Sequence, residues 1–359
     1  LLMAGAWETS GGYTTPATTR IWWTPPIGAS DIGDAERVPT NYWIDVEQSI
    51  TGMAAMDGTV YIFAYRALWG LAPTGLPGAN AYQRYTIRTD IGCIRHQTIT
   101  ISDDENGSPC VYFLSHRGPY RIGPNGVQYL GNDCEDIWNT VNLDAGDVVA
   151  HTIAYPDQHQ VWFYAATGSS SNPDVKMMFD TRLGRAEGDS VYRGWAKHAS
   201  ASAAVRCSCL FSVTPGATMT RALKPYAGNV AANNSLFKCD TGTDDAGTDY
   251  QSYLDTKPYM PAGWGRNVRV DDPQLVAKAQ SGVTITVSPL SDFGLATTQA
   301  GTALLTATGS ETRVQRRVEG LQMSGAGAIA FRIGDAAAAD NTWAIDALIA
   351  HAQPQEERS

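Results

Sequence analysis

Val60-Tyr61-Ile62-Phe63 is followed 51 residues later by Val111-Tyr112-Phe113-Leu114, and after a further 50 by Val161-Trp162-Phe163-Tyr164. A weaker echo, Leu210-Phe211-Ser212-Val213, stands 49 residues beyond that. β-Branched and aromatic side chains favour the pleated surface of a strand, and a fixed period of this length marks a repeated supersecondary unit. Polar turn formers precede each of the first three copies: Met56-Asp57-Gly58-Thr59, Asn106-Gly107-Ser108-Pro109 and Pro156-Asp157-Gln158-His159-Gln160. Two copies are soon followed by a second strand candidate, Ala67-Leu68-Trp69-Gly70-Leu71 and Pro119-Tyr120-Arg121-Ile122. In the third, residues 168–174 delay the next candidate to Val175-Lys176-Met177-Met178-Phe179-Asp180.

The unit that fits is a four-stranded antiparallel β-propeller blade of about 40–50 residues. Its inner strand is apolar on both faces because it packs between neighbouring blades. Rival readings are an array of β-sandwiches with chance similarity and a helical-hairpin repeat, and Gly and Pro every few residues weigh against helices. Four copies cover roughly residues 20–255. Propellers close with about 4–8 blades, so the chain forms a small ring or further blades lie upstream of Leu1. An opening of Leu1-Leu2-Met3, with no charged and then apolar leader, is not that of a secretory precursor.

Texture changes after the repeat. Residues 240–247 are a polar acidic loop and 258–265 read as a linker. The division expected is therefore a propeller over 1–257 and a β-sandwich-like domain over 258–359, an all-β chain throughout. In the second part, residues 274–280 and 283–287 flank Ser281-Gly282 as a two-residue hairpin would, with a short helix after Asp272-Pro273 as the rival. Strands are also expected at 303–308, 313–318, 328–333 and 343–349, the last with Trp343, Ile345, Ala347 and Ile349 on one face. The tail from Gln353 is polar.

Composition bounds the function. Among 359 residues, 36 Asp and Glu outnumber 26 Lys and Arg, for a net charge of −10. A sequence-neutral DNA binder carries the opposite sign. With 43% hydrophobic and 17% charged residues, the chain is neither disordered nor a coiled coil. No stretch approaches the roughly 18 apolar residues of a membrane helix. The cysteines (Cys93, Cys110, Cys134, Cys207, Cys209, Cys239) lack paired CxxC spacing and read as buried free thiols in a reduced compartment, with metal or disulfide chemistry as the alternative. Cys207 and Cys209 fall on one face of a strand.

The common catalytic signatures (HExxH, a P-loop, GxSxG, or GxGxxG between strand and helix) are missing from the sequence. The histidines (His96, His116, His151, His159, His198, His351) are not at ligand spacing; His151 and His159 come closest and read as surface or loop residues. Residues 102–107 fit neither a calcium loop nor an Asp-box and read as a connecting turn. The four Asp within 240–249 could hold a cation, with a solvated loop as the default. Asp31, Asp34, Glu36 and Asp45 near Trp22, Trp23 and Trp43 keep a sugar site open, although aromatics equally anchor blades and interfaces. Arg313, Arg316 and Arg317, the basic cluster, suit strand-edge protection.

Three segments resemble phage tail propellers: residues 20–25 and 41–46, which look like the opening of a blade, then Ile50-Thr51-Gly52-Met53 with the strand to Phe63, and Ile91-Gly92-Cys93 with residues 111–120. Residues 268–292 resemble the strand-rich ending of the same proteins. These are nozzle, tail-hub or head-to-tail connector proteins of short-tailed phages. The resemblance implies a virion structural protein without catalytic residues, cofactor or metal. It implies a ring, often of six copies, docked on adaptor or tail proteins and passing double-stranded DNA without gripping it. Loops 72–81 and 168–174 would carry the contacts. The alternative is a carbohydrate-binding or glycan-hydrolysing propeller that recognises a host surface.

Overall fold

The computed structural model describes residues 2–4, 7–10, 13–24, 41–144, 150–192, 194–199, 205–213, 222–229, 236–239, 253–261, 267–279, 282–290, 297–306, 312–326, 328–335 and 344–354. These are predominantly β-strand in many antiparallel sheets, and helical segments are single turns such as α1 (Glu135–Trp138). No helix among the described residues is long and apolar enough to cross a membrane. The chain divides into two compact units, Leu1–Thr241 and Gly242–Ser359.

The first unit is a series of sheets met in chain order. It begins with β1 (Leu2–Ala4), a hairpin of β2 (Trp7–Ser10) and β3 (Tyr13–Pro16), then β4 (Arg20–Trp23) and β5 (Trp43–Asp45), with β4 lying between β1 and β5. Next comes a meander of β6 (Ile50–Met56), β7 (Thr59–Ala64), β8 (Leu68–Pro73) and β9 (Tyr82–Arg88). The third sheet repeats it with β10 (Thr100–Asp103), β11 (Pro109–Ser115), β12 (Gly118–Gly123) and β13 (Gly126–Tyr129). A fourth contains β14 (Ala150–Tyr155), β15 (Gln160–Ala165) and β16 (Val175–Asp180). From there a hairpin of β17 (Arg185–Glu187) and β18 (Ser190–Tyr192) crosses to the third sheet, beside β13, before β19 (Trp195–Ala199) completes the fourth. Last are β20 (Val205–Val213), β21 (Ala222–Asn229) and β22 (Leu236–Lys238).

The repeated tetrapeptides are the second strands of sheets two to four, β7, β11 and β15. Their two-faced apolarity follows from packing. Ile62 joins Ile21, Val46 and Trp69 in one core, while its neighbour Phe63 joins Val111 and Phe113 in the next. Tyr112 and Leu114 turn the other way, toward Val161 and Phe163, and Trp162 and Tyr164 share a fourth core with Val205 and Leu210. A strand whose successive side chains alternate in direction thus ties each sheet to both neighbours. The Phe63 and Phe113 rings meet at 4.9 Å between centroids, the fourth position of one repeat against the third of the next.

In the second unit two antiparallel sheets share one core. Its strands are β23 (Tyr253–Asp255), β24 (Val268–Lys278), β25 (Thr284–Leu290), β26 (Thr297–Gln299), β27 (Gly301–Leu304), β28 (Arg313–Arg317), β29 (Gln322–Ala326), β30 (Ala330–Asp335) and β31 (Ile345–Pro354). One sheet runs β23-β30-β25-β27, the other β26-β29-β24-β28 with β31 also on β24. Val270, Leu275 and Ala277 from one sheet bury against Ile285, Val287 and Ile333 from the other.

Several expectations need correcting. The division falls between residues 241 and 242, not after 257, because β23 pairs with β30 and Tyr259 bridges Ile329 within the second unit. The turn ending at Gly282 makes no hairpin: β24 and β25 lie in different sheets and enter one core from opposite sides. The stretch after Asp272-Pro273 is strand, not helix. On β31 a register shift between Ala347 and Ile345 moves the apolar phase, so Ile345, Leu348, Ala350 and Ala352 pack inward and Ile349 faces out. The echo at 210–213 belongs to a first strand, β20, where Phe211 is 49% exposed. Trp343 lies outside the described residues.

Candidate functional site

The repeat places two hairpin tips side by side. Tyr65-Arg66 joins β7 to β8, closed by Ala64 N–H donating to the Ala67 carbonyl at 2.9 Å. His116-Arg117, 51 residues on, joins β11 to β12 with Ser115 opposite Gly118. Gly118 takes φ +123°, a conformation side-chain-bearing residues rarely adopt, so the tight turn needs glycine there. The Tyr65 and His116 rings stack at 5.3 Å with 24° between their planes. Beneath the first tip, Gly92 packs so closely that a Cβ would lie 1.8 Å from the Ala64 carbonyl oxygen.

Charge gathers around that stack. Arg88 forks onto Asp90 at 3.0 and 3.2 Å, and Arg117 reaches the same carboxylate at 3.2 Å. The hydrogen bond from Arg88 and the neighbouring guanidiniums hold the Asp90 carboxyl below its ordinary range, against the opposing effect of burial. Arg66 is exposed and has no ion pair among the described residues. Burial, then the charges of Arg66 and Arg117, hold the His116 imidazole below its usual value. Beside His116 is a cavity of about 30 Å³, room for one water-sized group, lined by Ile94, Ser115, Gly118, Trp138, Val141 and Leu143.

The exposed guanidiniums offer anion recognition. Ser115 Oγ is 3.2 Å from His116 Nδ1, and Ser115 is 3% exposed. The nearby carboxylate, Asp90, is already engaged by two guanidiniums. What remains open to solvent is an aromatic face flanked by donors that match a planar oxyanion.

The sequence candidates lie elsewhere. Asp45 accepts from Arg20 at 3.1 Å, and that guanidinium stands 4.1 Å above the Trp43 ring. Trp22 and Trp23 are buried in packing, while Asp31, Asp34, Glu36 and residues 240–249 lie outside the described residues. His151 is no surface residue: it is 7% exposed in β14, stacked on Tyr164 at 4.4 Å. His159 sits in a turn at φ +54°. Residues 102–107 do form a turn, Asp104 Oδ1 accepting from Asn106 and Ser108 N–H at 2.8 Å. Of the thiols, Cys93, Cys110 and Cys134 are buried as expected, whereas Cys207 and Cys209 are exposed, because their strand presents that face outward. Arg313, Arg316 and Arg317 stand on β28, at the end of its sheet. Among the described residues no three His, Cys, Asp or Glu converge on a metal position. Sequence reasoning missed the paired tips, although the same alignment that matches Val60 to Val111 matches Tyr65-Arg66 to His116-Arg117.

No protein-family model matches the chain, and no curated protein matches it. Among solved structures, the N-terminal domain of Nup159 is similar at TM-score 0.30 and 8% identity, over 92% of this chain and 76% of that one. At that score the likeness bears on neither fold nor function.

Proposed function

We propose that the first unit is a set of β-propeller blades, the second a β-sandwich, and the whole a non-enzymatic structural protein of a phage tail, of the nozzle or hub type. In this reading copies assemble into a ring, six by the family resemblance, docked on neighbouring tail or adaptor proteins in the virion, around a conduit for double-stranded DNA. The observation that carries it is the serial packing of sheets through strands buried on both faces. That is how blades stack, and it spends the buried aromatics on architecture. The resemblance at residues 20–25, 41–46, 50–53, 58–63, 91–93 and 111–120 supplies the virion context. A net charge of −10 suits a passage that repels a polyanion rather than gripping it.

Electron-microscopy class averages of the purified protein, and of the particle it comes from, test this. Rings with an axial lumen wide enough for a duplex support it. Compact discs that stay monomeric at high concentration beside their neighbouring tail proteins overturn it and direct attention to a saccharide screen.

A further inference from the structure

We propose that the twin tips Tyr65-Arg66 and His116-Arg117 are a docking site for a short acidic segment of a protein partner. This goes beyond the assignment to a phage tail and does not depend on ring formation.

Three observations carry it. The guanidiniums of Arg66, Arg88 and Arg117 outnumber the carboxylates that act on the cluster, Asp90 and Asp189, so it keeps an excess of positive charge on a protein whose net charge is −10. Of these, Arg66 has no ion pair among the described residues, and Arg117, 55% exposed, holds Asp90 by one bond only. The Tyr65–His116 stack fixes the two tips relative to each other, so the guanidiniums are carried on a rigid support and lose less freedom when a ligand arrives. Tyr, His and Arg side by side, next to a small cavity lined by both polar and apolar groups, have the make-up of an interface anchor.

Charge also chooses the occupant. A nucleic acid spreads many phosphates over tens of ångströms and meets the repulsion of the whole acidic surface. A short carboxylate-bearing segment feels chiefly what lies within a Debye length, about 8–10 Å, and there the sign is positive. An oxyanion between Arg66 and Arg117 would also offset the two charges that, after burial, lower the His116 pKa, so binding and protonation of His116 favour each other. The other charged group acting on that imidazole is Asp90, which favours its protonated form.

The test uses labelled hexaglutamate and the full chain, read by fluorescence anisotropy at low salt. Wild type is expected to bind. R66Q/R117Q, changing two exposed tips, should weaken binding by about tenfold or more. R316Q/R317Q, in the other unit, should leave it unchanged. The NMR titration midpoint of His116 should rise when the peptide is saturating. Three results would each overturn the proposal: no binding at millimolar peptide, equal binding by wild type and R66Q/R117Q, or tighter Arg66- and Arg117-dependent binding of hexathymidylate, which would make the site one for nucleic acid.

Discussion

Arg121 is 1% exposed and forks onto the Glu105 carboxylate, its second terminal nitrogen 3.0 Å from Oε1, inside the third sheet. Its Nε also donates to Gln128 Oε1 at 2.9 Å, and the Gln128 amide passes the chain on to the Gly188 carbonyl at 3.1 Å. Gly188 belongs to the hairpin that the fourth sheet sends across, so one buried cation couples a strand turn to the neighbouring sheet. Burial alone would raise the Glu105 pKa, but the hydrogen bond and charge of Arg121 prevail and lower it.

Breaking that pair leaves a buried charge without its partner. Glu105→Gln should cost about 2–4 kcal/mol, the low end reflecting partial solvent contact at Glu105, whereas the apolar Arg121→Met with Glu105→Gln together should recover part of the loss. Because the folded carboxyl has the lower pKa, its stabilisation is full above the unfolded value and falls away as acid protonates it. Denaturant midpoints from pH 7 down to 3 for wild type and variants check both points. Equal acid sensitivity in Glu105→Gln and wild type would sink the assignment.

His151 predicts a second, earlier acid response. It lies buried against Tyr164 with Nε2 unpartnered among the described residues, and burial pushes its pKa down to about 4. A group that binds protons more weakly folded than unfolded favours the fold above its unfolded value, near 6.5, and loses that advantage as pH falls toward 4. Up to about 3 kcal/mol should disappear across this window. His151→Phe should flatten the Tm profile between pH 6.5 and 4; an unchanged profile would count against a buried neutral imidazole.

Gly92 sets the height of the first tip. A methyl there would meet the Ala64 carbonyl oxygen at 1.8 Å and that of Ala67 at 2.7 Å, both backbone atoms that cannot swing aside. Gly92→Ala should lower stability by about 2–4 kcal/mol and separate the Tyr65 and His116 rings. Thermal unfolding and the ring-current shift of His116 report the two effects independently.

The thiols divide by environment. Cys93, Cys110 and Cys134 are buried and their pKa values are raised to about 12 by loss of solvent, so they should be inert in the native protein. Cys207 and Cys209 should react first with an aromatic disulfide reagent, and the buried three only on unfolding. Mass mapping of labelled peptides over time gives the order, and early labelling of Cys93 would contradict the packing around it.

Legibility followed the range of the forces involved. The repeated tetrapeptides, the turns before them and the strand at 175–180 are written in neighbouring residues, because alternation and turn chemistry act over two to six positions. The boundary near 241, the parting of β24 and β25 into two sheets and the phase change on β31 depend on partners tens of residues away. No local signal at Ser281-Gly282 separates a hairpin from a crossing between sheets.

The sequence by itself determined an all-β chain with a period of about fifty residues and an acidic surface, since those properties are sums over local preference and charge. Tertiary structure decided which residues meet: Tyr65 with His116, Arg117 with Asp90, Arg121 with Glu105 and Gln128. The reason is that a side chain's direction is fixed by strand alternation, but its neighbour is fixed by how sheets stack. Only stacking turned two aromatic-basic tips, 51 residues apart, into one surface.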